Sequence, residues 1–419
     1  MKNKVFSPAD ILLPQGCDME KWAVVACDQY TSEPEYWAEA DELVGKNPST
    51  LRLMLPELYL ESDDVAQRIE AVHTAMEQML AKDVLQGGED SYIYVERTQR
   101  NGKVRRGIVG KVDLECYSYE KGSVSPIRAT EGTILERIPP RRRVREGGAL
   151  ELPHIMLLID DPDCTVIEPL MTCKDSLCKQ YDFDLMMNSG HIAGYTLSKE
   201  EQERVDNAIA ALAEPERLVA RYGDCPANKL LFAVGDGNHS LATAKACYEA
   251  VKERIGADAA LNHPARYALC EVVNLHDTAL EFEAIHRVVF EVDEQKLIDA
   301  MTQALGLVPG AEGQQVRLCV NGKVTAYAIT KPASRLAVGS VQAFLDDYLA
   351  KNSGRVDYIH GDDVVAKLCA AGNVGMMFDA ISKDELFAAV VADGALPRKT
   401  FSMGEAADKR FYLEARKIL

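Results

Sequence analysis

Residues 229–245 read Lys-Leu-Leu-Phe-Ala-Val-Gly-Asp-Gly-Asn-His-Ser-Leu-Ala-Thr-Ala-Lys, and this stretch decides the fold. Leu230 to Val234 form an apolar run of strand length, and the glycines that follow predict a sharp turn. A helical pattern begins after the turn, with its buried side at Leu241, Ala244, Tyr248, Val251 and Ile255. A strand that leads through a tight turn into a helix is typical of α/β architecture, so we predict an α/β fold of mixed α+β type.

The turn between this strand and this helix combines backbone donors with polar side chains. The first N–H groups of a helix lack intrahelical acceptors, and the helix dipole adds partial positive charge at that end. Phosphate is therefore the expected ligand, bound by the backbone around Gly235 and Gly237. Four side chains of different chemistry lie in or beside the turn: Asp236, Asn238, His239 and Ser240. The carboxylate among them is a candidate ligand for a metal ion.

Ordinary turn chemistry accounts for the same loop in a second way. Glycine and asparagine tolerate left-handed backbone conformations, and aspartate caps helices. The residues alone leave both interpretations open.

The composition is that of a water-soluble globular protein with several domains. The chain has 419 residues, enough for two or three domains, with 47% hydrophobic and 27% charged residues. Its 65 acidic and 47 basic residues give a net charge of −18. This charge disfavours nucleic acid as a partner, because a phosphate-backbone binder needs an extensive basic face.

The sequence also disfavours a membrane partner. No apolar run approaches the roughly 18 residues that a membrane-spanning helix needs, and the first residues lack the apolar core of a secretion signal. Eleven cysteines are scattered without a framework spacing, which is typical of a reducing compartment. We therefore expect a cytoplasmic protein with a small-molecule substrate. Its oligomeric state does not follow from the sequence.

An apolar run at residues 22–26 predicts a short strand near the N-terminus. Asp28, Gln29 and Tyr30 would then follow the carboxyl end of that strand, where ligands often bind in open α/β sheets. The alternative is that these three are loop residues without a role in binding.

Three regions are predicted along the chain: an N-terminal α/β region (1–120), a central region that contains the Asp-Gly-Asn-His loop (121–290), and a smaller C-terminal α/β unit (291–419). Apolar spacing predicts a helix over 62–85. Asn-Gly pairs at 101–102 and 321–322 predict β-hairpins. A βαβα pattern follows residue 356.

The segment Pro126 to Arg143 is rich in charge and proline, so its polar residues are expected on a loop: Arg128, Thr130, Glu131 and Thr133. An arginine there would grip a phosphate or carboxylate, and Glu131 would remove a hydroxyl proton. A solvated charged linker is the alternative.

His286 and Arg287 lie within an apolar run, where each needs hydrogen-bond partners. An anion contact and a satisfied structural pair explain them equally well.

Four passages together carry a family resemblance: Arg128-Ala-Thr-Glu-Gly-Thr, Asp236-Gly-Asn-His-Ser, the strand ending at His286-Arg287, and Leu396-Pro-Arg-Lys-Thr-Phe. In this order they resemble a large uncharacterised bacterial and archaeal family that has been labelled as related to the chromosome-partitioning ParB and RepB proteins. The family's loop is similar to the phosphate-binding loop of the ParB and sulfiredoxin superfamily, which includes kinases of free serine. The resemblance covers nearly the whole chain.

The resemblance implies a ParB/sulfiredoxin-like central region and particular roles for its residues. Asp236 would hold a metal ion or orient an acceptor hydroxyl, and His239 with the neighbouring amides would cradle phosphate. Glu131 would be the general base. Magnesium and ATP or ADP are the implied cofactors.

The loop departs from the family pattern, which usually reads Asp-Gly-His-His-Arg. Asn238 replaces the first histidine and Ser240 replaces the arginine. Phosphate would then be gripped by backbone amides or by an arginine from elsewhere: Arg128, Arg137 or Arg287. Loss of nucleotide chemistry is the other explanation.

These observations favour nucleotide-dependent phosphoryl transfer to a small hydroxylated metabolite, for which serine is a candidate. Two alternatives remain: a noncatalytic protein that senses nucleotide or binds a partner, and a small-molecule phosphatase or other hydrolase.

Overall fold

The computed structural model describes residues 4–120, 122–223, 229–310, 312–370 and 372–419. The chain divides into two compact units. The first unit comprises Met1–Ala129, Thr133–Leu280 and Glu405–Leu419, and the second comprises Thr130–Gly132 and Glu281–Gly404. The predicted division into three regions at 120 and 290 stays a prediction.

In the described residues the strands are β1 (Phe6–Ser7), β2 (Leu12–Pro14), β3 (Val24–Val25), β4 (Leu85–Gly87), β5 (Ile93–Thr98), β6 (Val104–Asp113), β7 (Tyr117–Ser118), β8 (Ile127–Ala129), β9 (Leu150–Glu151), β10 (Ile155–Ile159), β11 (Cys178–Asp184), β12 (His191–Thr196), β13 (Phe232–Asp236), β14 (Tyr267–Asn274), β15 (Phe282–Phe290), β16 (Leu307–Pro309), β17 (Gln314–Val320), β18 (Lys323–Ile329), β19 (Arg355–His360), β20 (Val374–Met377), β21 (Phe401–Met403), β22 (Phe411–Tyr412) and β23 (Arg416–Lys417).

The α-helices are α1 (Met19–Trp22), α2 (Pro34–Val44), α3 (Val65–Ala81), α4 (Ile138–Arg145), α5 (Leu170–Cys173), α6 (Lys199–Leu212), α7 (Pro215–Tyr222), α8 (Asn238–Ile255), α9 (Ala257–Ala260), α10 (Glu294–Leu305), α11 (Ala337–Leu349), α12 (Asp362–Cys369) and α13 (Lys383–Asp393).

The first unit is built on a ten-stranded mixed sheet. Its strand order is β11-β12-β5-β6-β14-β10-β13-β8-β7, and β1 also pairs with β6. Strand β13 runs antiparallel to β10 and parallel to β8, so the loop that follows β13 lies near the residues that precede β10. The predicted α/β class of mixed α+β type is confirmed.

Both faces of this sheet are covered by apolar side chains. Tyr94 pairs with Ile108 and packs in the core on one face, whereas Ile93 pairs with Val109 and packs in the core on the other. Because successive strand residues point to opposite faces, near-continuous apolar sequence is expected in strands buried on both sides.

The second unit holds a seven-stranded antiparallel sheet with the order β16-β18-β17-β20-β15-β19, and β21 pairs with β15. One part of its core joins strand and helix residues: Val288, Cys319, Val365, Cys369 and Met377. The predicted hairpin at Asn321-Gly322 is confirmed as the β17–β18 connection, and the βαβα pattern is confirmed from β19 to α13.

The decisive stretch folds as strand, turn and helix, as predicted, but two details differ. Strand β13 runs to Asp236 and so includes Gly235, which was expected in the turn, and Ile255, expected on the buried side of the helix, is 41% exposed. Strand β13 precedes helix α8, the hairpin at Asn101-Gly102 joins β5 to β6, and the helix expected over 62–85 is α3.

One local prediction is wrong. Arg128 lies in strand β8, not on a loop, and is only 6% exposed. The prolines and charges around it argue against a long strand, but a strand of three residues fits between them. Strand β8 pairs with β13 on one side and with β7 on the other, and this pairing satisfies the backbone hydrogen-bonding groups of the segment.

The C-terminal segment Glu405–Leu419 belongs to the first unit. Strand β22 pairs with β3, and β23 pairs with β9. The buried Arg410 donates to Glu271 at 2.7 Å and also to Glu414. Trp22 Nε1 donates to the carbonyl of Leu413 at 2.9 Å. These contacts fix the last residues of the chain against its first strands.

None of the helices in the described ranges has the length and apolar character required to cross a bilayer.

Candidate functional site

The loop between β13 and α8 forms the centre of the candidate site. Gly237 is the N-cap of the 18-residue helix α8 and has φ +80° and ψ +29°, in the left-handed region that favours glycine. No side-chain hydrogen bond caps this helix end in the described chain. A helix N-terminus without a side-chain cap is a common place for an anion to bind.

Position 237 requires glycine for a second reason, because there is no room for a Cβ atom. A Cβ atom at this position would lie 2.9 Å from His154 Cδ2 and 3.1 Å from Ile155 Cα. The loop thus rests directly on the start of β10, and His154 lies beneath the turn.

Substitution of Gly237 by alanine is expected to destabilise the first unit by about 2–3 kcal/mol. The strain of a positive φ at alanine and the steric overlap of its Cβ atom with His154 and Ile155 both contribute to this cost. Gly256, at the other end of α8, has φ +88°, and a Cβ atom there would meet no atom within 4 Å, so Gly256→Ala is a matched control with a cost nearer about 1 kcal/mol. Urea unfolding of both variants measures the difference. If both variants lose the same free energy of unfolding, the close contact between Gly237 and His154 has no energetic effect and this prediction is wrong.

Asp236 ends β13 and binds a lysine from the C-terminal segment. Its Oδ1 atom accepts the N–H of Gly237 at 3.0 Å, and its Oδ2 atom lies 3.3 Å from Lys409 Nζ. The two side chains are 23% and 17% exposed, respectively, so this ion pair faces a partly open site. A carboxylate and a cation therefore stand together beside the helix N-terminus.

His239, in the first turn of α8, is held as a neutral imidazole. Burial lowers the pKa of His239 to about 4, and the positive charges of Arg141 and Arg137 contribute to that lowering. Its Nε2 atom accepts the backbone N–H of Ile134 at 3.4 Å, which places the ring proton on Nδ1. At neutral pH this side chain can donate a hydrogen bond to an anion.

Arginines of the α4 region stand close to this end of α8, and α4 packs against α8. Arg141 forms a two-point ion pair with Glu57, with Nε at 2.7 Å from Oε1. Arg137 is exposed, and its side chain makes no ion pair or hydrogen bond with any described residue. A guanidinium is thus present near the loop that lacks its own arginine.

A second group of side chains lies beside the loop, around His154. His154 Nε2 lies 3.1 Å from Asp28 Oδ2, and His154 Nδ1 lies 2.7 Å from the hydroxyl of Tyr412. That hydroxyl donates to Cys27 Sγ at 3.2 Å, and Gln29 donates to Asp28 Oδ1 at 2.8 Å. The five residues form one continuous hydrogen-bonded network.

The network contains a charged pair. Burial opposes both charges, but each charge favours the other: Asp28 raises the pKa of His154 well above its usual value, and His154 holds the pKa of Asp28 far below its own. Lys409 also lowers the pKa of Asp28 through its charge. At neutral pH the site therefore contains an imidazolium and an ionised carboxylate.

A cavity of about 140 Å³ opens beside this network. Cys27, His154, Tyr412 and Ser240 contribute to its wall, and most of the remaining lining is apolar. Ser240, one of the predicted phosphate ligands, thus faces the cavity at the start of α8.

The predicted site residues fall into two groups. The first unit contains the loop residues and two arginines: Gly235, Asp236, Gly237, Asn238, His239, Ser240, Arg128 and Arg137. The second unit contains Glu131, His286 and Arg287.

In the first unit, Arg128 differs from the loop residues. It is buried in β8, and its Nε atom donates to the carbonyl of Ser125 at 3.2 Å. Its role in phosphate binding stays a prediction.

In the second unit, His286 and Arg287 bind protein groups. His286 lies 2.8 Å from Asp362 and accepts the N–H of Phe378 at 3.2 Å. Arg287 is fully buried and donates to backbone carbonyls, including that of Lys399 at 2.8 Å. These contacts match the structural pair that the sequence left open, while a role in binding nucleotide stays untested.

Glu131 is joined to the same backbone segment of the second unit. Its Oε1 atom accepts the N–H of Lys399 at 3.1 Å, and its backbone bridges to Leu396. Lys399 has φ +57°, an unusual conformation for a non-glycine residue. The role of Glu131 as a general base stays a prediction.

Sequence reasoning missed several residues of the candidate site: His154, Lys409, Arg141, Tyr412 and Cys27. His154 begins a buried strand, and only its polar character within that strand could have marked it. Lys409 and Tyr412 lie in a short C-terminal segment with no motif. Asp28 was correctly expected to follow a short strand, since β3 ends at Val25.

Within the described ranges, no three His, Cys, Asp or Glu side chains are grouped so that they could hold a metal ion.

Several solved structures are similar to the chain at low sequence identity. A free serine kinase in complex with AMP aligns with a TM-score of 0.38 and 10% identity over 74% of this chain and 92% of its own. A variant of a free serine kinase in complex with ADP gives a TM-score of 0.39 at 10% identity with the same coverage.

Two further structures align comparably. C-terminally truncated SbnI from Staphylococcus aureus gives a TM-score of 0.37 and 13% identity over 71% of this chain and 82% of its own. A conserved hypothetical protein from Pyrococcus furiosus gives a TM-score of 0.35 and 10% identity over 75% of this chain and 96% of its own. The curated proteins contain no match to the chain.

The family is established by sequence. Residues 13–348 match the profile of DUF1015, a family described as a protein of unknown function. That range includes the β13–α8 loop, Asp28 and His154, so most of the candidate site lies within the family region. The chain is a member of the DUF1015 family.

Proposed function

We propose that this protein transfers a phosphoryl group from ATP or ADP to the hydroxyl of a small metabolite, with serine as the first candidate. One observation carries the proposal: the N-terminus of α8 has no side-chain cap in the described chain and stands beside the Asp236–Lys409 pair. A backbone anion site, a carboxylate and a cation are the parts that phosphoryl transfer requires.

Phosphate would be bound by the backbone amides at the start of α8 and by nearby cations. Lys409 supplies a point charge, and His239 supplies a neutral N–H donor from Nδ1. Arg137 and Arg141 act on His239 through their charge, which supports a positive potential around the loop. In this proposal Arg137 compensates for the arginine that Ser240 replaces.

Asp236 fits a magnesium ion that is shared with nucleotide phosphates. Mg²⁺ is commonly held by one or two carboxylates, with phosphate oxygens and water completing its octahedron. When bound, the ion would neutralise phosphate charge. Asp236 would hold and orient it, with Lys409 Nζ 3.3 Å from the carboxylate.

Asp28 is our candidate to orient the acceptor hydroxyl. Its ionised carboxylate is fixed by His154 and Gln29, and its side chain is 26% exposed. Phosphoryl transfer depends mainly on positioning and charge stabilisation, so a carboxylate of low pKa serves as a hydrogen-bond acceptor. A general-base role for Glu131 stays the prediction made from the sequence.

The same proposal includes a ParB/sulfiredoxin-like architecture for residues 121–290 and a cytoplasmic location, where nucleotides are abundant.

The test is turnover by the purified full-length chain. The protein is incubated with Mg²⁺ and either ATP or ADP, together with serine, threonine, homoserine or glycerol, and products are followed by ³¹P NMR and mass spectrometry. We expect a phosphorylated product from at least one acceptor. Nucleotide binding without product would instead favour a sensor, and phosphate release without an acceptor would favour a hydrolase. Absence of nucleotide binding in calorimetry would overturn both nucleotide hypotheses.

A further inference from the structure

A second concave site lies in the first unit, between α2, α3 and the segment that connects them. Its volume is about 730 Å³. Small-molecule sites usually measure about 300–1,000 Å³. The groove is therefore large enough for a metabolite-sized ligand.

The floor of this groove is apolar. Trp37 of α2, Met54 and Leu55 of the connecting segment, and Val72 and Met79 of α3 all line it. Each of these side chains is at most 8% exposed, so the floor is fixed by packing on the core. A rigid apolar floor favours a ligand with an apolar body.

The remaining lining is strongly cationic. Four basic side chains line the groove, namely Lys46, Arg52, Arg68 and Lys82, against a single acidic one, Asp41. In the whole chain, by contrast, acidic residues outnumber basic ones by 65 to 47. This reversal concentrates positive potential in one concave site of an acidic protein, and such a site attracts anions.

Two of these cations remain available to a ligand. Arg52 is paired with Asp41 at 2.5 Å, and Arg68 is paired with Asp64 at 2.9 Å. Lys46 and Lys82 are exposed and form no ion pair or side-chain hydrogen bond with any residue that the structure describes. Within the described part of the chain, no ion pair neutralises either charge.

Arg68 also lies over the ring of Tyr59, 4.1 Å from its centroid. This contact orders the groove wall beside the connecting segment. Met54 and Leu55 line the groove and also the 140 Å³ cavity of the candidate site, so one segment separates the two spaces.

We propose that this groove binds a small amphipathic anion. Its apolar body would lie on the floor around Trp37 and Met79, and its negative group would be bound by Lys46 and Lys82. This site is separate from the β13–α8 site and does not depend on the reaction proposed there.

The probe for this site is 8-anilinonaphthalene-1-sulfonate, whose fluorescence rises on an apolar surface and whose sulfonate is anionic. We expect saturable binding of one probe per chain to the full-length protein, with displacement by decanoate but not by decanol. The double variant Lys46→Gln/Lys82→Gln should weaken binding about tenfold, because two unpaired cations are lost.

The matched control removes two lysines outside the groove, Lys179→Gln/Lys199→Gln, and should leave the affinity unchanged. Ala75→Trp fills the groove from α3 and should abolish binding. Both groove lysines are exposed, so Lys46→Gln/Lys82→Gln is expected to fold. This variant therefore tests the anion site even if Ala75→Trp fails to fold. Equal affinities for the two lysine variants, displacement by decanol as effective as by decanoate, or no saturable binding would each overturn the proposal.

Discussion

Asp236→Asn is expected to lower phosphoryl transfer about 10²- to 10³-fold, the usual cost of losing one group that stabilises charge in a transition state. The amide keeps the shape of the side chain and an oxygen that accepts the N–H of Gly237. It removes the negative charge that would hold magnesium. The kcat with ATP or ADP, measured at saturating acceptor, reports the loss.

The same substitution should change the melting temperature little. The Asp236–Lys409 pair is partly exposed, and such pairs contribute about 0–1 kcal/mol. Asp258→Asn, at an exposed carboxylate of α9, is the matched control and should retain full activity. Full activity of Asp236→Asn would exclude a chemical role. A variant that no longer folds would support the structural turn, the alternative left open by the sequence.

His154→Gln is expected to cost about 3–5 kcal/mol of unfolding free energy near pH 5.5, because it removes the buried imidazolium and leaves the partly buried Asp28 carboxylate without its charged partner. Glutamine retains hydrogen-bonding capacity, so the loss reports mainly on charge. Urea unfolding followed by tryptophan fluorescence is suited to this measurement. Trp22 and Trp37 are the two tryptophans of the chain, and both lie in the first unit.

The pH dependence of that loss has a definite sign. The pKa of His154 is raised in the folded state, so its contribution is complete below about pH 6.5 and is lost as pH rises through the folded value. The pKa of Asp28 is lowered, so its contribution is complete above about pH 3.9 and is lost as pH falls through its folded value. The difference between wild type and variant should therefore be greatest between about pH 4 and 6.5 and should narrow at alkaline pH.

His191→Gln provides the control in the same unit. His191 lies 2.7 Å from both Asp182 and Asp184, but its side chain is 37% exposed. Solvent screens such pairs, so we expect a loss below about 1 kcal/mol at every pH. A loss for His154→Gln that is equally small, or one that grows above about pH 7, would contradict a buried imidazolium–carboxylate pair.

Local sequence patterns determined the parts of this protein that depend on near neighbours. The apolar run and glycines at 230–237 predicted β13, its sharp turn and helix α8, because strand length, positive φ and helical spacing are properties of short segments. The Asn-Gly pairs predicted both hairpins for the same reason. The location of the Asp236 loop was therefore predictable from the sequence.

Only the tertiary structure decided which side chains accompany that loop. His154 and Tyr412 are 258 positions apart in sequence and 2.7 Å apart in space. Lys409 reaches Asp236 because β22 pairs with β3 and carries the C-terminal segment back to the first unit. Pairing of distant strands leaves no periodic signal in a single sequence, since each partner is compatible with many others.

The sequence alone did not distinguish arginines that bind a ligand from arginines that stabilise the fold. Arg137 and Arg287 were equal candidates to replace the missing loop arginine. In the structure, Arg137 is exposed near the start of α8, whereas Arg287 is buried and donates to backbone carbonyls of its own unit. A guanidinium binds a phosphate or a set of carbonyls with the same donors, so the sequence determined only that each arginine was present. The fold determined that Arg287 donates to carbonyls and that Arg137 is exposed, while the binding of phosphate by either stays a prediction.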